Sequence, residues 1–138
     1  MITKLTGGTV LSRGKKMQGK SVYIQNDKIS AVTEEALPYD RVIDAKGNYI
    51  SPGFIDIHVH GGGGFDFTDN RADAVLKAAE FHARHGTTSI LPTATACPAE
   101  KTEQFLSHVE TAMKQKSAGP NLLGAHLEGP YFSKKQCG

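Results

Sequence analysis

Apolar and polar positions alternate in short runs through the first fifty residues, then change to a strand-and-helix rhythm after Ser51-Pro52-Gly53. Residues 2–5, 10–11, 21–25 and 29–32 read as brief strands, with Asn26-Asp27 as a tight hairpin turn between the last two. Val42-Ile43 and Tyr49-Ile50 flank a second turn signal, Asp44-Ala45-Lys46-Gly47-Asn48. Such strands are too short and too few to close a sandwich alone, so this part is expected to take strands from elsewhere in a longer chain. Beyond the junction, residues 52–60 read as a strand. Asn70 is placed to cap a helix with Asp73 three residues on, and Ala74, Val75, Ala78, Ala79, Phe81 and His82 form its apolar stripe before Gly86. Residues 87–95 form a second strand. Pro98 opens a second helix with Phe105, Leu106, Val109 and Met113 on its buried face and Lys114 and Lys116 suited to its carboxyl end. Residues 121–128 form a third strand, closed by Gly129-Pro130. This order calls for parallel strands and right-handed crossovers, hence an α/β barrel or a doubly wound sheet.

Composition narrows the function more by exclusion than by suggestion. The 138 residues are 38% hydrophobic and 22% charged, near the globular average, and a formal charge of +2 argues for neither a nucleic acid nor a membrane partner. The first ten residues lack the apolar core of a signal peptide and no later run approaches a membrane span, so a cytoplasmic setting is the expectation. Cys97 and Cys137 form no CxxC pair, which speaks against a disulfide framework or a thiolate zinc site; Cys97 reads as a small buried or capping residue and Cys137 as a loop thiol.

The chemistry concentrates in Asp56-Ile57-His58-Val59-His60 and the Gly61–Gly64 run that follows. In a strand, Asp56, His58 and His60 share one face and Ile55, Ile57 and Val59 the other. A lone strand histidine is ordinarily a hydrogen-bonded bystander. Two imidazoles at i and i+2 at a strand end, however, reach a single cation from one side, and borderline metals such as zinc favour that ligand type. On the third strand Leu122, Gly124, His126 and Glu128 share a face, which sets Glu128 at a carboxyl end with the orientation of the histidine pair. In a parallel barrel those ends meet at one mouth. His58, His60 and Glu128 are therefore the candidate metal ligands. His126 reads equally as an outer partner of the site or as a core histidine. His82, His85 and His108 fall on helices and read as packing or surface residues. The glycine run lacks the rest of a nucleotide-binding motif and reads as a flexible loop at the mouth, from which Asp66 and Asp69 could approach the site. Thr93 and Thr95 are further mouth candidates, although β-propensity suffices to explain both.

The segments PGFIDIHVHGGGG, HGTTSILPTATA and HLEGPYF together resemble the amidohydrolase superfamily and, within it, the deacetylases of N-acetylated amino-sugar phosphates. The resemblance covers essentially the whole chain. It implies the first three strands of an incomplete (β/α)8 barrel over residues 51–138, preceded over residues 1–50 by part of a small β-sandwich. It further implies hydrolysis of the acetamide of N-acetylglucosamine 6-phosphate to glucosamine 6-phosphate and acetate, with one or two divalent ions, zinc or iron among them. By matching position His58 and His60 would hold one metal, and Glu128 would be shared with or assigned to a neighbouring one. The general base and the later histidine ligands are expected beyond Gly138. The 138 residues alone are accordingly expected to be inactive, and the full-length protein to be a homodimer. Two alternatives are a relative acting on a cyclic amide, as dihydroorotases and hydantoinases do, and a non-catalytic fragment that associates with a complementary chain.

Overall fold

The computed structural model describes residues 1–115 and 117–135. Lys116, expected at a helix end, and Cys137, read as a loop thiol, lie outside the described residues. The chain divides into two compact units, one running from Met1 to Pro52 and the other beginning at Gly53.

The first unit is all β: β1 (Ile2–Thr6), β2 (Thr9–Ser12), β3 (Lys15–Met17), β4 (Ser21–Gln25), β5 (Lys28–Thr33), β6 (Arg41–Asp44) and β7 (Tyr49–Ile50). One sheet has the order β5-β4-β1-β6 and the other β3-β2-β7. Asn26 and Asp27 both take positive φ, 49° and 64°, which gives the β4–β5 hairpin the backbone twist its strands require. Strand β3 escapes the sequence pattern because two of its three residues are lysines, and Arg13-Gly14 supplies its turn with φ of 50° and 72°. Val10, Val22 and Tyr23 are buried, yet an apolar cavity of about 140 Å³ remains, lined by Leu5, Val10, Val22, Ile24, Val32 and Ile50 among others. Ile29, Val42 and Ile43 stay exposed. Among the described residues this unit has no extensive core of its own.

The second unit begins with β8 (Phe54–Val59), followed by a hairpin of β9 (Gly61–Gly62) and β10 (Phe65–Asp66), then α1 (Ala72–Ala83), β11 (Thr87–Ala94) and α2 (Ala99–Met113). Two short pieces, β12 (Asn121–Leu122) and β13 (His126–Leu127), end it. Strand β11 is central, with β8 on one side and β12 and β13 on the other, and every one of these pairings is parallel. The core comprises Phe67, Val75, Ala78, Ala79, Ile90, Ala94, Phe105, Val109, Ala112 and Leu122. Each large side chain among them contributes about 1.5–3 kcal/mol on leaving water.

Several expectations are corrected here. Asn70 does not cap α1: the N-cap is Arg71, in extended conformation and without a side-chain cap bond. Asp73 still occupies the first turn and pairs with Arg71 at 3.3 Å and Lys77 at 3.1 Å; the Lys77 hydrogen bond holds its carboxyl below the usual range. Leu106 and Met113 are exposed, and Ala112 takes the place beside Phe105 and Val109. The third strand is not continuous, because Gly124 at φ 138° lies between β12 and β13. Ile55 and Ile57 stand 66% and 62% exposed, so the aliphatic side of β8 is uncovered among the described residues.

Candidate metal centre

Parallel pairing puts the carboxyl ends of β8, β11 and β13 at one end of the sheet, and the charged residues collect there. His58 lies near the end of β8, His60 just past it, and Glu128 just past β13, where its own N–H donates to Ala94 O at 2.8 Å. His58 Nε2 stands 3.3 Å from His60 Nε2 and 3.3 Å from Glu128 Oε2, and His60 Nε2 stands 3.1 Å from the same oxygen. Metal bonds of about 2.0–2.1 Å in tetrahedral geometry separate ligand atoms by about 3.3 Å. The triangle therefore matches one face of such a site, and these three are the ligand cluster found among the described residues.

Proton accounting also favours a cation. His60 Nδ1 is 3.2 Å from Thr93 O, a carbonyl that only accepts, so Nδ1 carries the proton and a neutral ring presents a lone pair at Nε2. That lone pair faces a carboxylate oxygen across 3.1 Å and His58 Nε2 across 3.3 Å, an arrangement that a cation among the three atoms would stabilise. The residues present fit a divalent ion with three protein ligands and an open position, as catalytic zinc sites have.

His126 stands beside the cluster, its ring edge-on to His58 with centroids 4.8 Å apart and its Nδ1 3.4 Å from Thr93 Oγ1. Thr93 is fully buried under the site whereas Thr95 is exposed and not drawn into it. Asp66 and Asp69 serve the local turn instead: Asp66 Oδ1 accepts from Thr68 N at 2.7 Å, and Asp69 Oδ2 from Asp66 N at 3.2 Å. His85 lies just past α1 and not on it, and its Nδ1 stands 2.9 Å from Phe81 O in the last turn of that helix. Cys97 is half-buried with its sulfur 3.3 Å from Thr102 Oγ1.

The glycine run is a hairpin and not an irregular loop, and its packing explains the glycines. His82 Nε2 lies 2.9 Å from Gly61 O. A Cβ on Gly63 would meet the Phe81 side chain at 2.9–3.1 Å at a φ of 63°, whereas one on Gly64 would meet open space at a φ of 86°. Both replacements by alanine incur the left-handed penalty of about 1–2 kcal/mol. Gly63→Ala is expected to lose more stability than Gly64→Ala in urea unfolding; equal losses would contradict this packing. His82 is the residue that the sequence pattern undervalued, since a helical histidine gives no sign that it reaches back to a carbonyl twenty-one positions earlier.

A parallel α/β unit whose strand ends gather two histidines and a glutamate has the donor set of a divalent-metal site. Residues 49–136 match the amidohydrolase family, and the chain belongs to it. It is 34% identical over 140 residues to the N-acetylglucosamine-6-phosphate deacetylase of Rattus norvegicus, covering 97% of this chain and 32% of that protein. It is 35% identical over 97 residues to the N-acetylgalactosamine-6-phosphate deacetylase of Escherichia coli O157:H7, covering 70% of this chain and 26% of that protein. The crystal structure of N-acetylglucosamine-6-phosphate deacetylase from Pasteurella multocida superposes with a TM-score of 0.84 at 29% identity, covering 98% of this chain and 36% of that one. The chain thus spans about a third of the length of the curated relatives it matches. No helix among the described residues is long and apolar enough to cross a membrane.

Proposed function

We propose that this chain is the amino-terminal portion of an N-acetylglucosamine-6-phosphate deacetylase, bearing the first ligands of its metal centre. Residues 1–50 would be part of a small β-sandwich and residues 51–138 the first three strands of a (β/α)8 barrel. The observation that carries the reading is the His58–His60–Glu128 triangle at the carboxyl ends of parallel strands, in a chain aligned along nearly its whole length with such deacetylases.

In this reading His58, His60 and Glu128 hold a divalent ion, zinc or iron. When bound, such an ion polarises the acetamide carbonyl and lowers the pKa of a coordinated water. His60 keeps Nε2 turned to the ion because Nδ1–H is engaged by Thr93 O. Glu128 is held in place by its own backbone N–H on Ala94 O. The general base and the remaining ligands come from segments outside these residues, and the whole protein is a homodimer acting on an amino-sugar phosphate. A cyclic-amide substrate is less favoured, since the named relatives at 34% and 35% identity are deacetylases of amino-sugar phosphates.

Acetate release from N-acetylglucosamine 6-phosphate tests this. With zinc or iron added, the 138-residue chain alone is expected to give none. Paired with the carboxyl-terminal remainder of the Pasteurella multocida enzyme, it is expected to give turnover. Ring opening of a cyclic amide by the paired chains, without acetate release, would overturn the proposal.

A further inference from the structure

We propose that Thr93 is a positioning residue for the metal centre: its buried hydroxyl ties the ligand-bearing end of β8 to β11 and β13, while its carbonyl fixes the tautomer of His60. The inference rests on reading His58, His60 and Glu128 as ligands.

Strand β11 lies between neighbours and yet contains Pro92, which brings no N–H to a ladder. The register between β8 and β11 slips between Ile90 and Pro92. At that slip the N–H of Val59, the residue between the two histidines, donates to Thr93 Oγ1 at 3.1 Å in place of a backbone acceptor. The hydroxyl has one proton and directs it to Leu91 O at 3.2 Å. His126 Nδ1, 3.4 Å from the same oxygen, is then the donor in that contact, which orients the ring packed edge-on against His58. One fully buried oxygen thus engages residues of three strands, β8, β11 and β13, and the same residue's carbonyl accepts from His60 Nδ1 at 3.2 Å. A threonine that merely satisfied β-propensity would need none of these partners. Outer partners of this kind typically command about 10–100-fold in metal affinity.

Amide exchange and imidazole ¹⁵N spectra of the 138-residue chain, with zinc titrations, decide the matter for wild type, Thr93→Val and Thr93→Ser. In Thr93→Val the Val59 amide is expected to exchange on the order of tenfold faster, the loss of one hydrogen bond. Zinc affinity should fall about 10–100-fold, and Thr93→Ser should restore both. Metal-free wild type should show His60 protonated at Nδ1. Unchanged Val59 exchange and zinc affinity in Thr93→Val would overturn the proposal, as would a His60 protonated at Nε2 in metal-free wild type. Should Thr93→Val fail to fold, wild type and Thr93→Ser decide: a protected Val59 amide in both supports the role, and an unprotected one in wild type refutes it. Wild type that binds no zinc even when paired with the carboxyl-terminal remainder of the Pasteurella multocida enzyme would refute the ligand reading instead, while exchange and tautomer still judge Thr93.

Discussion

Replacing His60 by alanine is expected to lower zinc affinity by more than about 100-fold, beyond the range that outer partners command. Among the three proposed ligands His60 is the one whose proton is already placed, at Nδ1 on Thr93 O, so its Nε2 is left to face Glu128 Oε2 at 3.1 Å and His58 Nε2 at 3.3 Å. Glu128→Gln should weaken binding as well, because it removes the negative charge while keeping the shape. Chelator-competition titrations measure both, with His108→Ala on α2 as the control that should leave affinity unchanged. Wild-type affinity in His60→Ala would mean that the triangle is only an ion-pair cluster. Such a cluster would contribute little stability, since His58, His60 and Glu128 side chains are 47%, 39% and 35% exposed.

Phe67→Ala is expected to cost about 3–5 kcal/mol in denaturant unfolding of the second unit, the range for deleting a buried aromatic side chain. Phe67 is fully buried in the core with Val75, Ala78 and Ile90, and its N–H donates to His60 O at 2.8 Å. It therefore ties the ligand-bearing strand end to the hydrophobic core. The variant should lose zinc affinity too, even under conditions where it remains folded. A loss below about 1 kcal/mol would show that the hairpin and helix repack around the missing ring.

Alternation predicted that His58, His60 and Glu128 converge, and their ligand atoms do lie together, although Glu128 reaches them past a strand broken at Gly124 and not along a continuous one. The strand and helix order of the second unit followed from the same periodicity. What stayed hidden depends on contacts between distant positions. Asn70 offered a cap, but the chain enters α1 through an extended Arg71. Nothing around residues 121–128 showed that Gly124 would take φ 138° and split the strand. Thr93 looked like any β-branched strand residue, and its partners became visible only when Pro92 and the register slip brought Val59 and His126 to it. The glycine run suggested freedom, whereas Gly62 and Gly63 are required by the closeness of Phe81 and His82.

Strand β8 bears both histidines and, among the described residues, pairs with β11 alone. Its other border carries unpaired backbone groups beside the exposed Ile55 and Ile57, a surface suited to accepting a further strand. Whatever strand adds there stiffens the backbone from which the imidazoles project. With the proposed ion held by His58 and His60, completion of the sheet would tighten it, and zinc affinity would serve as a gauge of assembly.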